Sequence, residues 1–527
     1  MIRDLRENPG ASQESTADVL VIGAGIAGLL AATRLARAGG RVVVVESGGL
    51  KQSEETHPLN EVVQLGDTYS GALQGRFRCL GGTSSVWGGA MLPFLPVDLA
   101  FPHTAGWDVR WPIALTDLTC YQEEVERLFR LSDGPYDFPG MLPDLFLGRL
   151  AKWPAFQRRN VATLLTDDIH SEKGPEIWLH ATATRFIFDL SGRLVSVTMR
   201  SVNGGTLTVL AQETLIAAGA IESTRLLLLA DRQHGDRIFA PDRMLGRYFF
   251  DHLSTTTARL VNVRRRELNA VVGYRFEGSG MRNLRFEASE TLRLKRKLPA
   301  GFVHISGSTD APTVFDALRT VYRKLQKGER PGIGDATALA VGLPWLLRAT
   351  WWRFVKKRLL FPQGAHLDVH VVVEQEPRAE NRISLSPQRV DIHGCPLATI
   401  DWRVHDNDAA NVVAITEAFS GEWDRGAMAG LARLERDTPT NVKRALAKGG
   451  DIYHPGGTVR MALSAADGVV DGHLRTFRVP NISVVSTAVF PTGGGANPTM
   501  MLMMAALRAA DRLVQHLKER RYTADAR

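Results

Sequence analysis

Two residues near the C-terminus have side chains suited to oxidising an alcohol. His454 begins a His-Pro-Gly-Gly-Thr stretch, and Asn497 follows three glycines and an alanine. Alcohol oxidation needs a base that takes the hydroxyl proton while the carbon-bound hydrogen leaves as hydride, and a histidine with an ordinary pKa of about 6.5 suits that task. The amide of Asn497 cannot act as a base, but it can hold a substrate oxygen through hydrogen bonds.

The elements that must position this pair begin with a nucleotide-binding loop near the N-terminus. The apolar run 18–22 leads into the motif Gly23-Ala24-Gly25-Ile26-Ala27-Gly28, and apolar residues then recur at helical spacing up to residue 40. A second apolar run at 41–46 reads as a buried parallel strand. The pattern predicts a strand–helix–strand unit that binds a dinucleotide.

Each glycine of that motif has a predicted role. Gly23 permits the tight turn, Gly25 lets the backbone approach a pyrophosphate, and Gly28 allows close packing of the helix on the strand. The first turn of the helix then offers backbone amides to the phosphates. Glu46 ends the second strand, where its carboxylate can accept hydrogen bonds from a ribose.

Two further segments have the composition of backbone that lies against a cofactor. Residues 76–89 contain four glycines and three hydroxyl side chains, which favours a close approach to a large flat or phosphorylated ligand. Residues 213–223 form another passage from a strand through a glycine into a helix. This passage could bring a second chain segment to the same nucleotide.

Composition narrows the class of protein. The 527 residues suffice for two large domains, and 44% hydrophobic with 23% charged residues is typical of a soluble globular protein. Three widely spaced cysteines indicate neither a disulfide framework nor a zinc site. The polar N-terminus does not resemble a signal peptide, and no apolar run reaches the ~18 residues of a membrane span. We therefore expect a cytoplasmic protein.

The positive charge is concentrated in one segment. Residues 319–358 hold ten basic and two acidic residues, which accounts for the whole net charge of +8 and argues against a general nucleic-acid-binding surface. The basic residues are Arg319, Arg323, Lys324, Lys327, Arg330, Arg348, Arg353, Lys356, Lys357 and Arg358.

Within this segment, residues 338–361 combine apolar and basic character and allow three interpretations. The first is an amphipathic helix of the substrate domain that packs on its own sheet. The second is peripheral contact with an anionic membrane surface, with Leu347, Trp351, Phe354 and Val355 on one face. The third is a group of cations, including Lys356 and its neighbours, around a phosphorylated substrate.

Six segments in order resemble the glucose–methanol–choline (GMC) oxidoreductase family. They are GAGIAG at 23–28, LGGTSSVWGG at 80–89, AAGAIEST at 217–224, GRYFFDH at 246–252, HPGGTVRM at 454–461 and VFPTGGGANPT at 489–499. The second and last are most similar to the branch of pyranose 2-oxidases and of sugar and polyol dehydrogenases. The resemblance implies FAD as cofactor and removal of a hydride from a carbinol carbon.

The resemblance also implies the fold and its division. We expect an α/β protein in which a Rossmann-like FAD-binding domain carries an inserted α+β substrate domain built on an antiparallel sheet. The predicted FAD-binding domain comprises residues 1–105, 165–262 and 446–527. The predicted substrate-binding domain comprises residues 106–164 and 263–445.

The predicted site follows from the motifs and the resemblance together. His454 and Asn497 match the two catalytic positions of the family. No metal site is predicted, because His366 and His370 have neither the glutamate of an HExxH motif nor another histidine close in sequence. The predicted cofactor contacts are Gly23, Gly25, Ile26, Ala27, Gly28, Glu46, Ser47, Arg78, Gly81, Gly82, Thr83, Ser84, Trp87, Gly88, Gly89, Ala183, Ala218, Gly219, Thr487, Asn497, Pro498 and Thr499.

Two positions depart from the family pattern. Val86 stands where pyranose 2-oxidases have a histidine bonded to the flavin, so the FAD should be non-covalent. Ser486 stands where many relatives have an aspartate, which puts flavin contacts from that strand in doubt.

The substrate that these features predict is a small-molecule alcohol: a sugar, a polyol or a related secondary alcohol. The sequence does not identify the electron acceptor. It also leaves three alternative functions open: a flavin-containing lyase, a protein that uses FAD without redox turnover, and a membrane-associated dehydrogenase of a nucleotide- or lipid-linked sugar. An NAD-dependent dehydrogenase is a further rival.

Overall fold

The structure is a computed structural model that describes residues 1–309, 313–326, 330, 332–362, 364–495 and 497–525. Eighteen strands lie in this part of the chain. They are β1 (Ile2–Asp4), β2 (Ser12–Ile22), β3 (Val42–Val45), β4 (Val62–Gly66), β5 (Phe146–Trp153), β6 (Glu176–Leu179), β7 (Thr182–Phe188), β8 (Leu194–Arg200), β9 (Thr206–Ile216), β10 (His252–Val261), β11 (Arg275–Glu277), β12 (Gly280–Ala288), β13 (Gly301–Ser308), β14 (His366–Glu374), β15 (Arg382–Val390), β16 (Pro396–Trp402), β17 (Arg433–Arg436) and β18 (Ile482–Val484).

The same ranges contain fifteen α-helices. They are α1 (Ile26–Arg37), α2 (Gly71–Gln74), α3 (Thr116–Thr119), α4 (Gln122–Phe129), α5 (Val161–Leu164), α6 (Thr166–His170), α7 (Gly219–Gln233), α8 (Arg265–Val272), α9 (Glu290–Arg296), α10 (Val314–Gln326), α11 (Ile333–Val341), α12 (Leu343–Phe354), α13 (Asp406–Arg425), α14 (Pro439–Ala447) and α15 (Thr499–Asp525). None of these helices is long and apolar enough to cross a membrane.

The first sheet contains the predicted strand–helix–strand unit. Its strand order is β1-β6-β3-β2-β9-β8-β7, with β18 beside β9. Strands β2 and β3 run parallel and are joined by α1. All four residues of β3 are buried, as a parallel strand covered on both faces requires. The prediction of an α/β fold with a Rossmann-like unit is confirmed.

The second sheet is antiparallel and lies largely in the predicted substrate domain. Its order is β11-β12-β13-β14-β10-β17, with β5 beside β12. Helix α13 covers one face of this sheet with the buried side chains of Val412, Ile415 and Phe419. These elements form the α+β part that the sequence predicts.

Two pairings cross the predicted domain boundaries. Strand β10 lies in a segment that was assigned to the FAD-binding domain, yet it pairs within the second sheet. Strand β4 pairs with β16 in a small three-stranded sheet, so residues 62–66 contact the segment 396–402. The exact division into two domains stays a prediction.

Three strands of the first sheet end side by side and prepare a site at that edge. The amide of Ala217, after β9, donates to the carbonyl of Ile22 at the end of β2 over 2.8 Å. The amide of Val485, after β18, donates over 2.8 Å to the carbonyl of Ile216. Ligands of open α/β sheets bind outside such carboxyl ends.

Candidate active site

A cavity of about 610 Å³ opens at this edge of the first sheet. Its size lies within the range of about 300–1,000 Å³ that small-molecule and cofactor sites occupy. The cavity wall brings together most of the predicted site residues, which are Gly23, Gly25, Ile26, Ala27, Glu46, Ser47, Arg78, Gly82, Thr83, Trp87, Gly88, Gly89, Ala183, Ala218, Gly219, His454, Thr487, Asn497, Pro498 and Thr499.

Three of the predicted cofactor contacts do not line the cavity, and each has a packing role instead. A Cβ on Gly28 would lie 1.9 Å from the carbonyl oxygen of Gly23, and a Cβ on Gly81 would lie 2.1 Å from Oδ1 of Asn160. Ser84 is fully buried, where its hydroxyl donates to the carbonyl of Gly81 over 2.5 Å. These residues shape the loops behind the cavity and do not face it.

The glycine loop after β2 forms a cradle that fits a dinucleotide. Gly23 has a φ of +106°, and a Cβ there would lie 2.7 Å from the carbonyl oxygen of Ala217. A Cβ on Gly25 would meet nothing within 4 Å. Among the described residues, no side chain caps the N-terminus of α1, so its first amides are available to a phosphate.

Glu46 ties the cradle to the end of β3. Its carboxylate accepts hydrogen bonds of 2.9 Å from the backbone amides of Ala24 and Gly48. Burial raises the pKa of Glu46 above its usual value, and these two hydrogen bonds offset only part of that increase. Each carboxylate oxygen has a further lone pair, so the side chain can still accept a hydrogen bond from a ribose hydroxyl.

Arg78 connects the loop 76–89 to a buried ion-pair network. Its guanidinium donates over 2.9 Å to Oγ of Ser47 and over 2.8 Å to the carboxylate of Glu222. Glu222 also accepts a 2.9 Å hydrogen bond from Arg225, which in turn pairs with Asp391 over 2.5 Å. Sequence reasoning missed Glu222, although it lies within the quoted AAGAIEST segment and lines the cavity.

The charge balance of this network keeps Glu222 ionised. Burial opposes the charged form, but the guanidinium groups of Arg78, Arg225 and Arg76 outweigh burial and lower the pKa of Glu222 to about 2. The cavity wall therefore presents arginine and glutamate side chains in fixed positions. A buried network of this kind orients Arg78 toward the nucleotide cradle.

The C-terminal motif reaches the cavity from the opposite side. Helix α15 begins at Thr499, and the carbonyl of Pro498 accepts a 2.9 Å hydrogen bond from the amide of Leu502. Ala496 lies outside the described residues. Ser486, the position that departs from the family pattern, also lines the cavity.

His454 and Asn497 lie against each other. Nδ2 of Asn497 and Nε2 of His454 are 3.3 Å apart. Oδ1 of Asn497 accepts a 2.9 Å hydrogen bond from Nη1 of Arg285. Because a guanidinium can only donate, the amide oxygen must face Arg285 and the amide nitrogen must face His454.

This order of donors and acceptors also assigns the tautomer of His454. The amide nitrogen of Asn497 is a donor, so Nε2 of the imidazole must accept. The ring proton of the neutral imidazole therefore lies on Nδ1, for which no described residue supplies a hydrogen-bond partner. The lone pair of Nε2 is therefore directed at the amide nitrogen of Asn497.

The surroundings of His454 keep its imidazole neutral. Burial, then His252 and then Arg285 lower the pKa of His454 well below its usual value of 6.5. The pKa of His454 therefore differs from the near-neutral pKa that an unperturbed histidine has and that suits a general base. The physical cause is the cavity itself, which withdraws the imidazole from bulk water and places cationic Arg285 nearby.

His252 and Asp251 form a layer behind His454. The rings of His252 and His454 lie edge to face with centroids 5.1 Å apart. Nε2 of His252 lies 2.8 Å from the carbonyl oxygen of Gly494, so it carries the ring proton and donates. No signal in the sequence indicates that His252 lies beside His454.

Asp251 supports the backbone of His454. Its two oxygens accept from the amide of His454 over 3.0 and 2.9 Å, and Oδ2 also accepts a 2.8 Å hydrogen bond from the hydroxyl of Tyr69. Burial and then the neighbouring carboxylate of Asp451 raise the pKa of Asp251 to about 8. In the described part of the chain, Asp251, His252 and His454 are the one group of three potential metal ligands, with ligand atoms within 4.8 Å. The donors that already face both oxygens of Asp251 fit hydrogen bonding in place of metal ligation.

Sequence reasoning missed Arg285 entirely. It lies on β12, far from any motif, and its side chain is 2% exposed. Its Nε donates a 3.0 Å hydrogen bond to Glu287, and its guanidinium carbon lies 3.8 Å from the ring centroid of Phe302. Only the pairing of β12 within the second sheet brings this residue to Asn497.

Family models match three segments of the chain. The family model described as "GMC oxidoreductase" matches residues 151–254 in its N-terminal part and 377–506 in its C-terminal part. The model described as "FAD binding domain" matches residues 18–57. The prediction of FAD as the cofactor is thereby confirmed.

Individual relatives extend the match over nearly the whole chain. A 2-methyl-1,2-propanediol dehydrogenase of Mycolicibacterium austroafricanum is 24% identical, with 94% of each chain covered. A paromamine 6'-oxidase of Streptomyces fradiae is 25% identical, with 95% of this chain and 92% of the relative covered.

Solved structures show the same fold. The crystal structure of pyridoxine 4-oxidase from Mesorbium loti superimposes with a TM-score of 0.58 at 15% identity, covering 94% of this chain and 98% of that one. The family models match the start of β10, His454 and Asn497, and the FAD-binding model matches the glycine cradle, so the matched segments include residues on several sides of the cavity. The chain therefore belongs to the GMC oxidoreductase family.

Proposed function

We propose that this protein oxidises the CH–OH group of a small-molecule alcohol to a carbonyl, with His454 as the base. The observation that supports this most directly is the ordered contact Arg285–Asn497–His454 beside a dinucleotide cradle. It presents a neutral imidazole nitrogen and an amide N–H to the same space. An alcohol needs such a pair, because its oxygen must be held while its proton is removed.

The residues of the chain divide this work. A substrate hydroxyl would replace the direct hydrogen bond between Asn497 and His454. Its oxygen accepts a hydrogen bond from Nδ2 of Asn497, and its proton goes to the lone pair that is thereby freed on Nε2 of His454. The chemistry that bound FAD supplies is acceptance, at flavin N5, of the hydride from the carbinol carbon. Arg285 holds the amide of Asn497 so that its N–H faces the substrate oxygen, and the backbone contacts of Asp251 fix the position of His454.

The residues that would hold FAD are those of the cavity wall. The cradle at Gly23–Gly28 and the first turn of α1 would bind the pyrophosphate, and Glu46 would bind the ribose. We propose that the cofactor is not covalently attached, because Val86 lines the cavity with an aliphatic side chain that cannot form a bond to the flavin. Acid precipitation of the protein should then release the yellow colour into the supernatant.

We propose a sugar, a polyol or a related alcohol as the substrate. The relatives named as a propanediol dehydrogenase and a paromamine oxidase support this class. The cavity wall also carries polar groups, among them Asn60, Gln74 and Thr83, that can contact hydroxyls.

The decisive experiment is anaerobic mixing of the FAD-loaded protein with a panel of alcohols. Oxidation requires that the yellow flavin bleaches as the carbonyl product forms. Product formation with an unchanged spectrum would instead indicate a lyase, and an unchanged spectrum without product for every alcohol would indicate FAD without redox turnover.

A variant of the base tests the residue assignment. His454→Ala should slow flavin bleaching by about 10²–10⁴-fold, the usual contribution of a general base, while FAD stays bound. The matched control is His473→Ala, which removes an exposed imidazole outside the cavity. Bleaching of His454→Ala at the rate of this control would overturn the assignment of His454 as the base.

A further inference from the structure

An exposed apolar stripe runs along α12. Leu343, Leu347, Trp351 and Phe354 follow one another at intervals of four, four and three residues, so they share one face of the helix. Their exposed fractions are 54%, 64%, 44% and 72%, and Val355 after the helix is 61% exposed. Large apolar side chains on monomeric proteins are rarely exposed in such a continuous row without a partner.

The opposite face fixes α12 to the protein. Trp345 and Trp352 are buried, and the indole of Trp345 donates a 3.3 Å hydrogen bond to the carbonyl of Phe361. The interpretation that this segment packs on its own domain therefore holds for the buried face of α12 and for Phe361, which packs against the core of the second sheet. The stripe faces away from the core.

Cations flank the stripe. Arg348, Lys356 and Lys357 are exposed, and the ammonium of Lys356 lies 5.2 Å from the ring centroid of Trp351. The sequence from residue 336 to residue 358 contains no acidic residue. Glu277, the acidic group that acts on Arg358, pairs with Arg282 over 2.7 Å. Of the ten basic residues in the segment 319–358, Lys327 and the side chains of Arg319 and Arg323 lie outside the described residues.

These cations do not surround the substrate site. Lys356, Lys357 and Arg358 are absent from the described wall of the cavity. Lys356, Lys357 and Arg358 are therefore not placed to bind a phosphate that lies inside the cavity beside His454.

We propose that this surface docks on an anionic lipid bilayer. The docking surface comprises Leu343, Leu347, Trp351, Phe354 and Val355 as the apolar stripe and Arg348, Lys356 and Lys357 as the cationic flank. A helix of this kind lies in the plane of the membrane, with its apolar face among the acyl chains and its cations among anionic headgroups. Tryptophan with an adjacent lysine suits the boundary between the two regions.

A protein partner fits the surface less well. The centre of a protein–protein interface is depleted of lysine, whereas here Lys356 and Lys357 immediately follow the stripe. A flexible ammonium group can extend from the apolar region to a phosphate, which suits a lipid surface that has no fixed shape.

The docking surface is linked to the cavity wall by three contacts. The amide of Phe276 donates to the carbonyl of Lys357 over 2.9 Å, and the amide of Leu359 donates to the carbonyl of Tyr274 over 2.8 Å. The ring of Tyr274 lies edge to face on Trp153, with centroids 5.6 Å apart, and Trp153 lines the cavity. Docking would thus bring this wall of the cavity toward the bilayer.

The test measures co-sedimentation of the full-length, FAD-loaded protein with vesicles. One set contains phosphatidylcholine only, and the other contains phosphatidylcholine and phosphatidylserine. The apolar variant carries Leu347→Ser, Trp351→Ser and Phe354→Ser, and its control carries Leu190→Ser and Ile392→Ser at two exposed apolar positions elsewhere. The charge variant carries Lys356→Gln and Lys357→Gln, and its control carries Lys295→Gln and Arg296→Gln, which are also exposed.

The proposal requires that the protein binds the anionic vesicles and that added salt weakens this binding. Binding to vesicles of phosphatidylcholine alone should be much weaker. Each removed cation should lower the partition coefficient about fivefold, and the apolar variant should lose binding. Both controls should bind like the unmodified protein. Bleaching of the flavin by a soluble alcohol should be unchanged in all variants, so failure of docking is distinguishable from failure of the proposed oxidation.

Three results would overturn the proposal. The first is equal binding of the charge variant and its control, because the cations would then play no part. The second is equal sedimentation with both kinds of vesicle. The third is a concentration-dependent dimer that the apolar variant abolishes, since a second copy of the chain would then cover the stripe in place of lipid.

Discussion

Arg285 and Asn497 are joined by a 2.9 Å hydrogen bond that determines which way the amide of Asn497 faces. A second hydrogen bond of 3.2 Å, from Arg285 to the carbonyl of Gly495, ties the guanidinium to the same loop. Arg285 is itself held by Glu287. An asparagine can rotate its amide by half a turn, and this arrangement removes that freedom because the reversed amide would place two donors against each other.

Replacing Arg285 with Met should slow flavin bleaching by about 10–100-fold, because the amide of Asn497 is then free to turn its oxygen toward His454. The effect should fall on the rate constant for bleaching at saturating alcohol, since the binding cavity is unchanged. Stopped-flow absorbance measures this rate directly. Arg285→Lys should recover little, because an ammonium cannot contact Asn497, Gly495 and Glu287 together.

A double-mutant cycle distinguishes positioning from a general loss of structure. In a protein that already carries Asn497→Ala, the further change Arg285→Met should have almost no effect on bleaching. Additive losses in the double variant would show that Arg285 acts by a route other than the amide of Asn497.

The bleaching rate should stay high below pH 6.5, the usual pKa of histidine. The pKa of His454 is well below that value because of burial, His252 and Arg285, so the imidazole remains neutral and able to accept a proton as the pH falls. The acid limb of the pH–rate profile is therefore expected on the acidic side of pH 6.5. An acid limb centred at or above pH 6.5 would contradict the environment that the structure gives His454.

The elements that carry local sequence signals are the ones that could be predicted. The strand–helix–strand unit around Gly23 follows from the spacing of glycines and apolar residues, and His454 and Asn497 follow from two short motifs. Each of these signals lies within a few dozen residues, so its physical meaning does not depend on the rest of the chain.

The parts that could not be predicted depend on contacts between distant segments. Arg285 lies 212 residues from Asn497 in sequence, and only the pairing of β12 in the second sheet brings them together. Asp251 belongs to a motif that was noticed, yet its contact with His454 arises from a loop 203 residues away. The exposure of Trp351 likewise depends on which face of α12 packs, and periodicity alone gives two faces without saying which is buried.

Asp251→Asn should remove a step near pH 8 from the pH–rate profile. Burial and Asp451 raise the pKa of Asp251 to about 8, so its carboxyl group ionises as the pH rises through that value. The new negative charge behind His454 favours proton acceptance, and the rate should rise by about tenfold, the effect of one pKa unit of charge interaction.

The amide of the Asp251→Asn variant can keep the contacts. Its oxygen, at the position of Oδ1, would accept from the amides of His252 and His454, and its nitrogen would donate to the hydroxyl of Tyr69. Only the second contact of the His454 amide, with Oδ2, would be lost. The variant should therefore fold, bind FAD and bleach at a rate that is flat through pH 8. A step that persists in the variant would mean that another group, such as Asp451, produces it.

Glu222→Gln should destabilise the protein by about 3–5 kcal/mol at pH 7, because it removes the carboxylate that Arg78 and Arg225 share in the interior. The sign of the pH dependence follows from the pKa. Since the pKa of Glu222 is lowered to about 2 in the folded state, its stabilising contribution is complete above the unfolded value near 4.5 and is lost as the pH falls toward 2. The difference between the unmodified protein and the variant should thus be largest at neutral pH and should shrink between pH 4.5 and 2.

Thermal unfolding of the FAD-loaded proteins at several pH values measures it, and exposed Glu172→Gln is the matched control. Because Arg78 loses its hydrogen-bond partner and Glu222 lines the cavity, the variant should also bind FAD more weakly. Equal unfolding midpoints for Glu222→Gln and Glu172→Gln at pH 7 would mean that this network does not stabilise the fold.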